Sequence, residues 1–314
     1  MTTLYLVVPC YNEQEVLPET SKRLREKFDA LAAAQRISPE SRILLVDDGS
    51  RDATWQQIAA LCAEDVRFAG VKLSRNQGHQ NALLAGLTVA HDRCDAAISL
   101  DADLQDDIDA IDAMVDKFQQ GCDVVYGVRS ARESDTAFKR TTAQGFYRVM
   151  KLLGVDIVYN HADYRLMSRR ALEALMQFDE ANLFLRGIVP LIGYKSDIVT
   201  YERHERFAGE SKYPLKKMLA FALDGITSFS VKPIRLITLL GTLIFGVSLM
   251  ALFLLLILKL AGYTVQGWTT LMGSIWLLGG IQLLSLGVIG EYIGKIYREV
   301  KHRPHFIIDC VELH

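Results

Sequence analysis

The sequence predicts an α/β fold: a domain with a mostly parallel sheet, followed by a two-helix transmembrane hairpin. Three observations carry this expectation. Short β-rich runs alternate with stretches of helical spacing up to Val128, the pattern of successive βαβ units covered on both faces. Polar clusters follow directly on four of those runs, at the strand ends where such sheets bind ligands. Two later segments, Leu236–Leu258 and Trp268–Gly290, contain no Asp, Glu, Lys, Arg or His, and each exceeds the roughly 20 helical residues that cross a bilayer.

In chain order, Leu4–Val8, Ile43–Val46, Phe68–Leu73, Ala96–Leu100 and Val124–Val128 are the expected strands. Between them Val16–Leu31, Trp55–Cys62, Asn81–Ala90 and Ile108–Phe118 carry apolar residues at helical intervals. From Ser130 to Pro214 the periodicity weakens, and this stretch is expected to add helices, loops and late strands that complete the site. Beyond it, Leu215, Met218, Leu219, Ala222, Ile226 and Phe229 oppose Lys216, Lys217, Asp224 and Ser228, the composition of an interfacial amphipathic helix. The expected organisation is a catalytic domain over 1–213, the interfacial helix over 214–233, transmembrane helices at 236–258 and 268–290 within 234–290, and an amphipathic tail over 291–314. Lys212, Lys216, Lys217, Lys232 and Arg235 precede the first span and Lys295, Arg298, Lys301 and Arg303 follow the second, against Lys259 alone between them. The positive-inside rule puts both ends, and so the catalytic domain, in the cytoplasm of a plasma or inner membrane.

Composition narrows the function classes. The 35 basic and 37 acidic residues balance, giving no bulk attraction to nucleic acid. Cys10, Cys62, Cys94, Cys122 and Cys310 lack the paired spacing of zinc or redox sites and read as ordinary thiols of a reducing compartment. The N-terminus has no basic region and too short an apolar run for a signal peptide. His302 and His305 read as interfacial residues rather than a metal site.

The chemistry-bearing residues stand just after the strands: Pro9-Cys10-Tyr11-Asn12-Glu13, Asp47-Asp48-Gly49-Ser50, Arg75-Asn76-Gln77-Gly78 and Asp101-Ala102-Asp103. A pair of carboxylates two residues apart can hold a hard cation that stabilises a departing diphosphate, with Gln105 offering a further oxygen. The triplet by itself fits a solvated turn with helix-capping aspartates as well. Asp47 and Asp48 can accept from a uracil imide or ribose hydroxyls, or serve an Asp-Gly-Ser turn. Pro9 and Tyr11 suit an apolar wall against a base, with Glu13 toward the nucleotide; a strand end before a capped helix explains the same residues.

Together with Asn76-Gln77-Gly78-His79 and Leu100-Asp101-Ala102-Asp103-Leu104-Gln105, these motifs resemble glycosyltransferase family 2, whose fold is GT-A, a Rossmann-like arrangement. Asp163-Tyr164-Arg165-Leu166-Met167-Ser168, Asn182-Leu183-Phe184, Arg206-Phe207-Ala208-Gly209-Glu210-Ser211-Lys212-Tyr213 and Gly287-Val288-Ile289-Gly290-Glu291-Tyr292-Ile293-Gly294 extend the resemblance to the bactoprenol glucosyltransferases, within the polyprenyl-phosphate branch related to dolichol-phosphate mannose synthases. The resemblance implies metal binding (Mg²⁺ or Mn²⁺) by Asp101, Asp103 and Gln105, and donor-nucleotide binding by Pro9, Tyr11, Glu13, Asp47, Asp48, Arg75 and Asp101. It implies lipid-phosphate or diphosphate contacts at Arg129, Arg140, Arg206 and Lys212, with Arg132, Lys139 and Arg148 near enough to substitute for the arginines. Asp163 and Asp103 are the implied catalytic residues. Asp163 matches an aspartate proposed as base, though a lipid monophosphate with a second pKa of about 6 is already largely dianionic at neutral pH, so an orienting role is equally open. His79 stands where similar enzymes often have Lys.

The implied reaction is inverting transfer of a hexose from a UDP-sugar to undecaprenyl or another polyprenyl phosphate, giving a β-linked polyprenyl phosphosugar for cell-envelope glycan modification. UDP-glucose is the favoured donor and UDP-N-acetylglucosamine the alternative. The same resemblance implies a homo-oligomer, a tetramer by family likeness. A processive polysaccharide synthase would need more membrane helices and a Gln-x-x-Arg-Trp motif, which the sequence lacks; a non-enzymatic nucleotide-sugar sensor would not need Asp101, Asp103 and Asp163 intact. With the nucleotide motifs all before residue 213, a chain ending at Tyr213 is expected to keep nucleotide binding.

Overall fold

The structure is a computed structural model that describes residues 1–130, 161–180, 184–202, 232–261 and 267–313. It divides into an α/β unit, to which the chain returns from Arg303 onward, and a helical unit.

The α/β unit is built on an eight-stranded sheet in the order β7-β5-β6-β4-β1-β2-β3-β8. Strands β1 (Leu4–Cys10), β2 (Arg42–Asp47), β3 (Phe68–Leu73) and β4 (Ala96–Ser99) alternate with helices α1 (Leu17–Ala33), α2 (Thr54–Glu64) and α3 (His79–Ala90). Their pairings β1/β2, β2/β3 and β1/β4 are parallel. Every residue of β1 and β4 is buried, as expected of strands covered on both faces. Helix α3 lies close on the sheet because residue 86 is glycine: a Cβ there would stand 2.3 Å from Val7 Cγ1 and 2.7 Å from Val46 Cγ2.

Beyond β4 the sheet changes character. Helix α4 (Ala110–Gln119) leads into β5 (Val124–Arg129), while β6 (His161–Ser168) inserts between β4 and β5 and runs antiparallel to both. Short helices α5 (Arg169–Leu175) and α6 (Leu185–Leu191) precede β7 (Ser196–Tyr201), parallel to β5. The β4/β6 register pairs Ser99 with Arg165, and two residues further along it lie Asp101 and Asp163. Chain order reverses at β1, with β2 on one side and β4 on the other, and a crevice at the strand ends of such a switch point is where α/β sheets bind ligands.

The helical unit contains α7 (Lys232–Leu260) and α8 (Trp268–Val300), which pack on each other. Among the described residues one segment, Leu277–Val300, is long and apolar enough to cross a membrane. The expected interfacial helix, apart from its last residues at the start of α7, lies outside the described residues. The tail contains more than an amphipathic segment: Ile308–Glu312 forms β8, which pairs antiparallel with β3 at the sheet edge. Five residues with a free outer edge carry too little periodicity to be read as a strand from sequence.

Candidate active site

The three polar motifs that follow β1, β2 and β3 form one interlocked surface. Asn12 adopts φ 53, a left-handed conformation that asparagine tolerates better than most residues. Its amide donates to Ser50 Oγ at 3.0 Å and its side chain accepts from the Arg51 amide at 2.9 Å. Glu13 N donates to Thr54 Oγ1 at 2.9 Å, while the Ala53 amide donates to Gln14 Oε1 at 3.0 Å. Pro9 is buried in β1, Glu13 is half-buried and Tyr11 is exposed.

Asp47 and Asp48 are both buried and accept hydrogen bonds from backbone amides. The Ser50 amide donates to Asp47, closing the turn. Asp48 accepts from the Gln77 and Gly78 amides at 2.7 and 3.0 Å. Burial pushes both carboxyls up, partly offset by these bonds. Gly49 completes the joint: at φ 66, a Cβ would lie 2.5 Å from Arg75 C and from Asn76 N. The sequence leaves ligand contact and an Asp-Gly-Ser turn both open for this pair; Asp47 closes that turn and Asp48 holds the Arg75–Gly78 loop, with the Arg75 side chain exposed.

Asp101 and Asp103 stand at the end of β4, half-buried. Their loop is tied down by the buried Thr20 of α1, whose hydroxyl donates to Ala102 O at 2.8 Å. Asp103 Oδ1 accepts from the Gln105 amide at 3.1 Å. Between them Leu104 is held at φ 57, which for a bulky side chain costs of order 1–3 kcal/mol and is typical of functional turns. Burial raises the Asp101 carboxyl, and the nearby charges of Asp106, Asp163 and Asp103 raise it further, against His79. Asp106 leaves Oδ2 buried without a hydrogen-bond partner.

The oxygen donors gathered at this strand end are of the kind a hard divalent cation takes. Among the described residues no three His, Cys, Asp or Glu side chains group as a metal site. Asp101 and Asp103 would therefore share the ion with amide, phosphate or water oxygens.

Asp163 sits beside this cluster in a cationic setting. Its Oδ1 accepts from Arg165 Nη2 at 2.8 Å and its Oδ2 from Arg186 Nη2 at 3.0 Å, with Arg186 Nε 3.3 Å from Oδ1. His79 Nε2 lies 3.8 Å from Asp163 Oδ2 and 3.4 Å from Asp101 Oδ1, so the side chain reaches the two carboxylates. Burial alone would raise the Asp163 carboxyl, but Arg186, Arg165 and His79 overcome it and hold it well below the usual carboxylate range. Arg165 is fully buried and also donates to Leu185 O at 3.2 Å, while the Leu185 amide donates to Gln80 Oε1 at 2.9 Å. These bonds fix the start of α6 and leave the Arg186 side chain about one-third exposed, at 32%.

Arg129, at the end of β5, is held by the buried Asp106 at 3.0 Å, and Tyr201 OH donates to the same oxygen at 2.6 Å. Burial opposes the arginine's charge, and Asp106 and Tyr201 more than restore it. Tyr164 packs edge-on against Tyr201, ring centroids 5.2 Å apart. Arg140, Arg206 and Lys212, like Arg132, Lys139 and Arg148, lie outside the described residues. Sequence reasoning missed Arg186, Asp106, Tyr201 and Gln80. The Leu185-Arg186-Gly187 run after Asn182-Leu183-Phe184 was the available signal for Arg186; the others needed the register of β6 and β7.

Residues 5–176 match glycosyl transferase family 2. The chain is 57% identical over 306 residues to the uncharacterized glycosyltransferase YkoT of Bacillus subtilis (strain 168), covering 98% of this chain and 91% of that protein. It is 42% identical over 306 residues to the bactoprenol glucosyl transferase of Shigella phage SfV, covering 96% and 97%. Among solved structures, the mannosyltransferase PcManGT from Pyrobaculum calidifontis in complex with GDP-Man and Mn²⁺ is similar at 17% identity and a TM-score of 0.45, over 93% of this chain and 87% of its own. With the family match spanning more than half its length and relatives aligned nearly end to end, this chain belongs to glycosyltransferase family 2, is a glycosyltransferase, and has that family's GT-A-like fold.

Proposed function

We propose that the enzyme transfers a hexose, glucose in the first instance, from its UDP-sugar to a polyprenyl phosphate at the cytoplasmic face of a membrane, with inversion to a β-linked product. The observation that carries this reading is the adjacency of two oppositely charged sites at one sheet end: Asp101 and Asp103 on the donor side, and Arg186, braced by Asp163, beside them. Identity of 42% to bactoprenol glucosyl transferases over nearly the whole chain supports the acceptor class.

The donor surface is assigned to Pro9, Tyr11, Glu13, Asp47, Asp48, Arg75 and Asp101. Asp101, Asp103 and Gln105 would hold Mg²⁺ or Mn²⁺, which supplies positive charge to the departing diphosphate. Arg129 and Arg186 hold the acceptor phosphate, joined by Arg140; Arg206 and Lys212 contact the lipid phosphate or the diphosphate. A guanidinium carries five donors, and Asp163 engages only the Nε and one Nη of Arg186, leaving donors for an anion.

The acceptor oxygen attacks the anomeric carbon opposite the diphosphate, so one displacement inverts the configuration without a covalent enzyme intermediate. A phosphate with a second pKa of about 6 arrives mostly as the dianion and needs no strong base. Asp163, held anionic, suits orientation of Arg186 and His79 rather than proton removal. Positioning and electrostatic stabilisation therefore supply the catalysis. Helices α7 and α8 are assigned as a membrane hairpin that brings this site to the lipid headgroup. Their charge-free segments support that assignment, as do outward apolar side chains such as Met250, Phe253, Leu283 and Leu286, each more than 60% exposed.

The test is turnover by the full chain in liposomes containing undecaprenyl phosphate, with radiolabelled UDP-glucose, UDP-N-acetylglucosamine and GDP-mannose offered separately. A lipid-linked monosaccharide formed fastest from UDP-glucose, with a β anomeric signal by NMR, is expected. Faster turnover of another donor reassigns the sugar, a released polymer points to a processive synthase, and no product from any donor overturns the reading.

A further inference from the structure

We propose that the C-terminal strand β8 is a positioning element of the donor site, bracing the end of β3 so that the Arg75–Gly78 loop is set to receive the nucleotide. The inference rests on the assignment of that loop to the donor. The contacts form an unbroken path. Strand β8 pairs Glu312 with Gly70, Val311 with Val71 and Cys310 with Lys72, then shifts register to pair Ile308 with Leu73. One residue beyond the strand, the Ser74 amide donates to Ile307 O at 2.9 Å. Ser74 is followed at once by Arg75 and Asn76, whose backbone packs against Gly49, and then by Gln77 and Gly78, whose amides are bound by Asp48.

Side chains pin the same register. Lys72 Nζ lies 3.1 Å from an Asp309 carboxylate oxygen and 5.8 Å from the centroid of the Trp55 ring. His305 Nε2 is 3.7 Å from Asp179 Oδ1, so the segment leading into β8 meets the α/β unit at a second place. The end of β3 is thus bonded on one side by β2 and on the other by a segment that follows α8 in the chain. Without β8, β3 becomes the sheet edge, and the loop beyond it loses the bond at its first residue.

A strand that merely covered an exposed sheet edge would protect the fold without favouring one substrate, and this difference is the basis of the test. Successive backbone N–H groups of a strand point to opposite edges, and proline is tolerated where its nitrogen faces the open edge. Of the full-length variants Cys310→Pro and Val311→Pro, one therefore removes a bond to β3 and the other serves as its control. Hydrogen exchange at the Gln77 and Gly78 amides reads the brace directly, and steady-state kinetics with UDP-glucose and undecaprenyl phosphate read its consequence. In the ladder-breaking variant, exchange at those amides should accelerate and the UDP-glucose KM rise about five- to tenfold, the equivalent of one or two backbone hydrogen bonds. The acceptor KM should stay at its wild-type value, and the thermal midpoint should fall by no more than the roughly 2–4 °C that one lost backbone hydrogen bond costs. Unchanged exchange in both variants overturns the proposal, as does an equal rise in both KM values, the mark of a general loss of fold. Accelerated exchange with an unchanged donor KM shows that the loop is braced but does not hold the donor; the donor assignment of Arg75–Gly78 then fails, and the positioning proposal with it.

Discussion

Asp163 keeps its charge for a reason that also limits what it can do. A general base works best with a pKa near the operating pH, whereas Arg186 and Arg165 hold this carboxyl far below that range against its burial. Its depressed folded pKa contributes stability that is present above the unfolded value of about 3.9 and is lost only as pH falls toward the folded one. Between pH 6 and 8.5 it is therefore anionic throughout. Asp163→Asn should lower kcat by the same factor at both pH values, and a loss concentrated at pH 6 would restore the base. The substitution also leaves Arg165 buried without its counter-charge, so thermal unfolding should show a loss of about 3–5 kcal/mol. Arg186→Ala removes the exposed partner instead; it should raise the KM for polyprenyl phosphate more than tenfold, an effect typical of a lost charged hydrogen bond, and leave the UDP-glucose KM unchanged. Equal increases in both would place Arg186 on the donor. Asp103→Asn keeps shape but removes a carboxylate charge, and should abolish most turnover without lowering the thermal midpoint; near-normal, EDTA-sensitive turnover would remove Asp103 from the metal set. The strand-end acidic residues were legible because they follow buried runs directly. The arginine partners of Asp163 were not: Arg165 shares its strand and Arg186 lies 23 residues on, and only the antiparallel insertion of β6 brings both beside the Asp101 loop.

At the scale of elements, close helix–sheet approach is the quantity most exposed to a test. Replacing glycine by alanine within a helix ordinarily favours the helix by about 0.8–1 kcal/mol. At Gly86 the new methyl would press on Val7 and Val46, both stiff β-branched residues of buried strands. Overpacking of this kind costs about 1–3 kcal/mol, so Gly86→Ala should lower the thermal midpoint despite the better helix former; a raised midpoint would mean that α3 can lift from the sheet without penalty. Periodicity and β-rich composition located β1 to β5 and α1 to α4 to within a few residues, because each repeats a buried pattern long enough to count. The elements beyond Ser130 escaped for physical reasons. Strand β6 has neighbours on both sides that come from earlier in the chain, α5 and α6 are only seven residues each, and β7 shows mostly exposed or half-buried positions. Strand β8 is short, half-exposed and separated from its partner by most of the sequence, so nothing local marks its pairing.

For the whole molecule, chain order gives the C-terminal region two separable parts: α7 and α8, which we propose as a membrane anchor, and β8, which belongs to the α/β sheet. From the sequence alone, a chain ending at Tyr213 is expected to retain nucleotide binding; the pairing of β8 with β3 changes that expectation, because the same cut removes both the helices and a sheet strand. Two variants separate the parts. One ends at Tyr213. The other joins Tyr213 to Arg303 through a flexible Gly/Ser linker of about 20 residues, whose root-mean-square span is roughly 25 Å, and so keeps β8 without the helices. On the proposed function a polyprenyl acceptor is already concentrated in the bilayer, so an anchor formed by α7 and α8 would add registry between a water-soluble donor site and a headgroup at the interface. The linked variant should hold its UDP-glucose KM near that of the full chain and act on a short, soluble polyprenyl phosphate analogue, yet fail on undecaprenyl phosphate in vesicles. The shorter variant should lose activity on the vesicle substrate as well and show a raised UDP-glucose KM even with the soluble analogue. If the linked variant loses the soluble reaction as completely as the vesicle reaction, α7 and α8 support the fold itself and registry is not their contribution. If both variants bind UDP-glucose as the full chain does, β8 is edge cover alone and the donor loop stands without it.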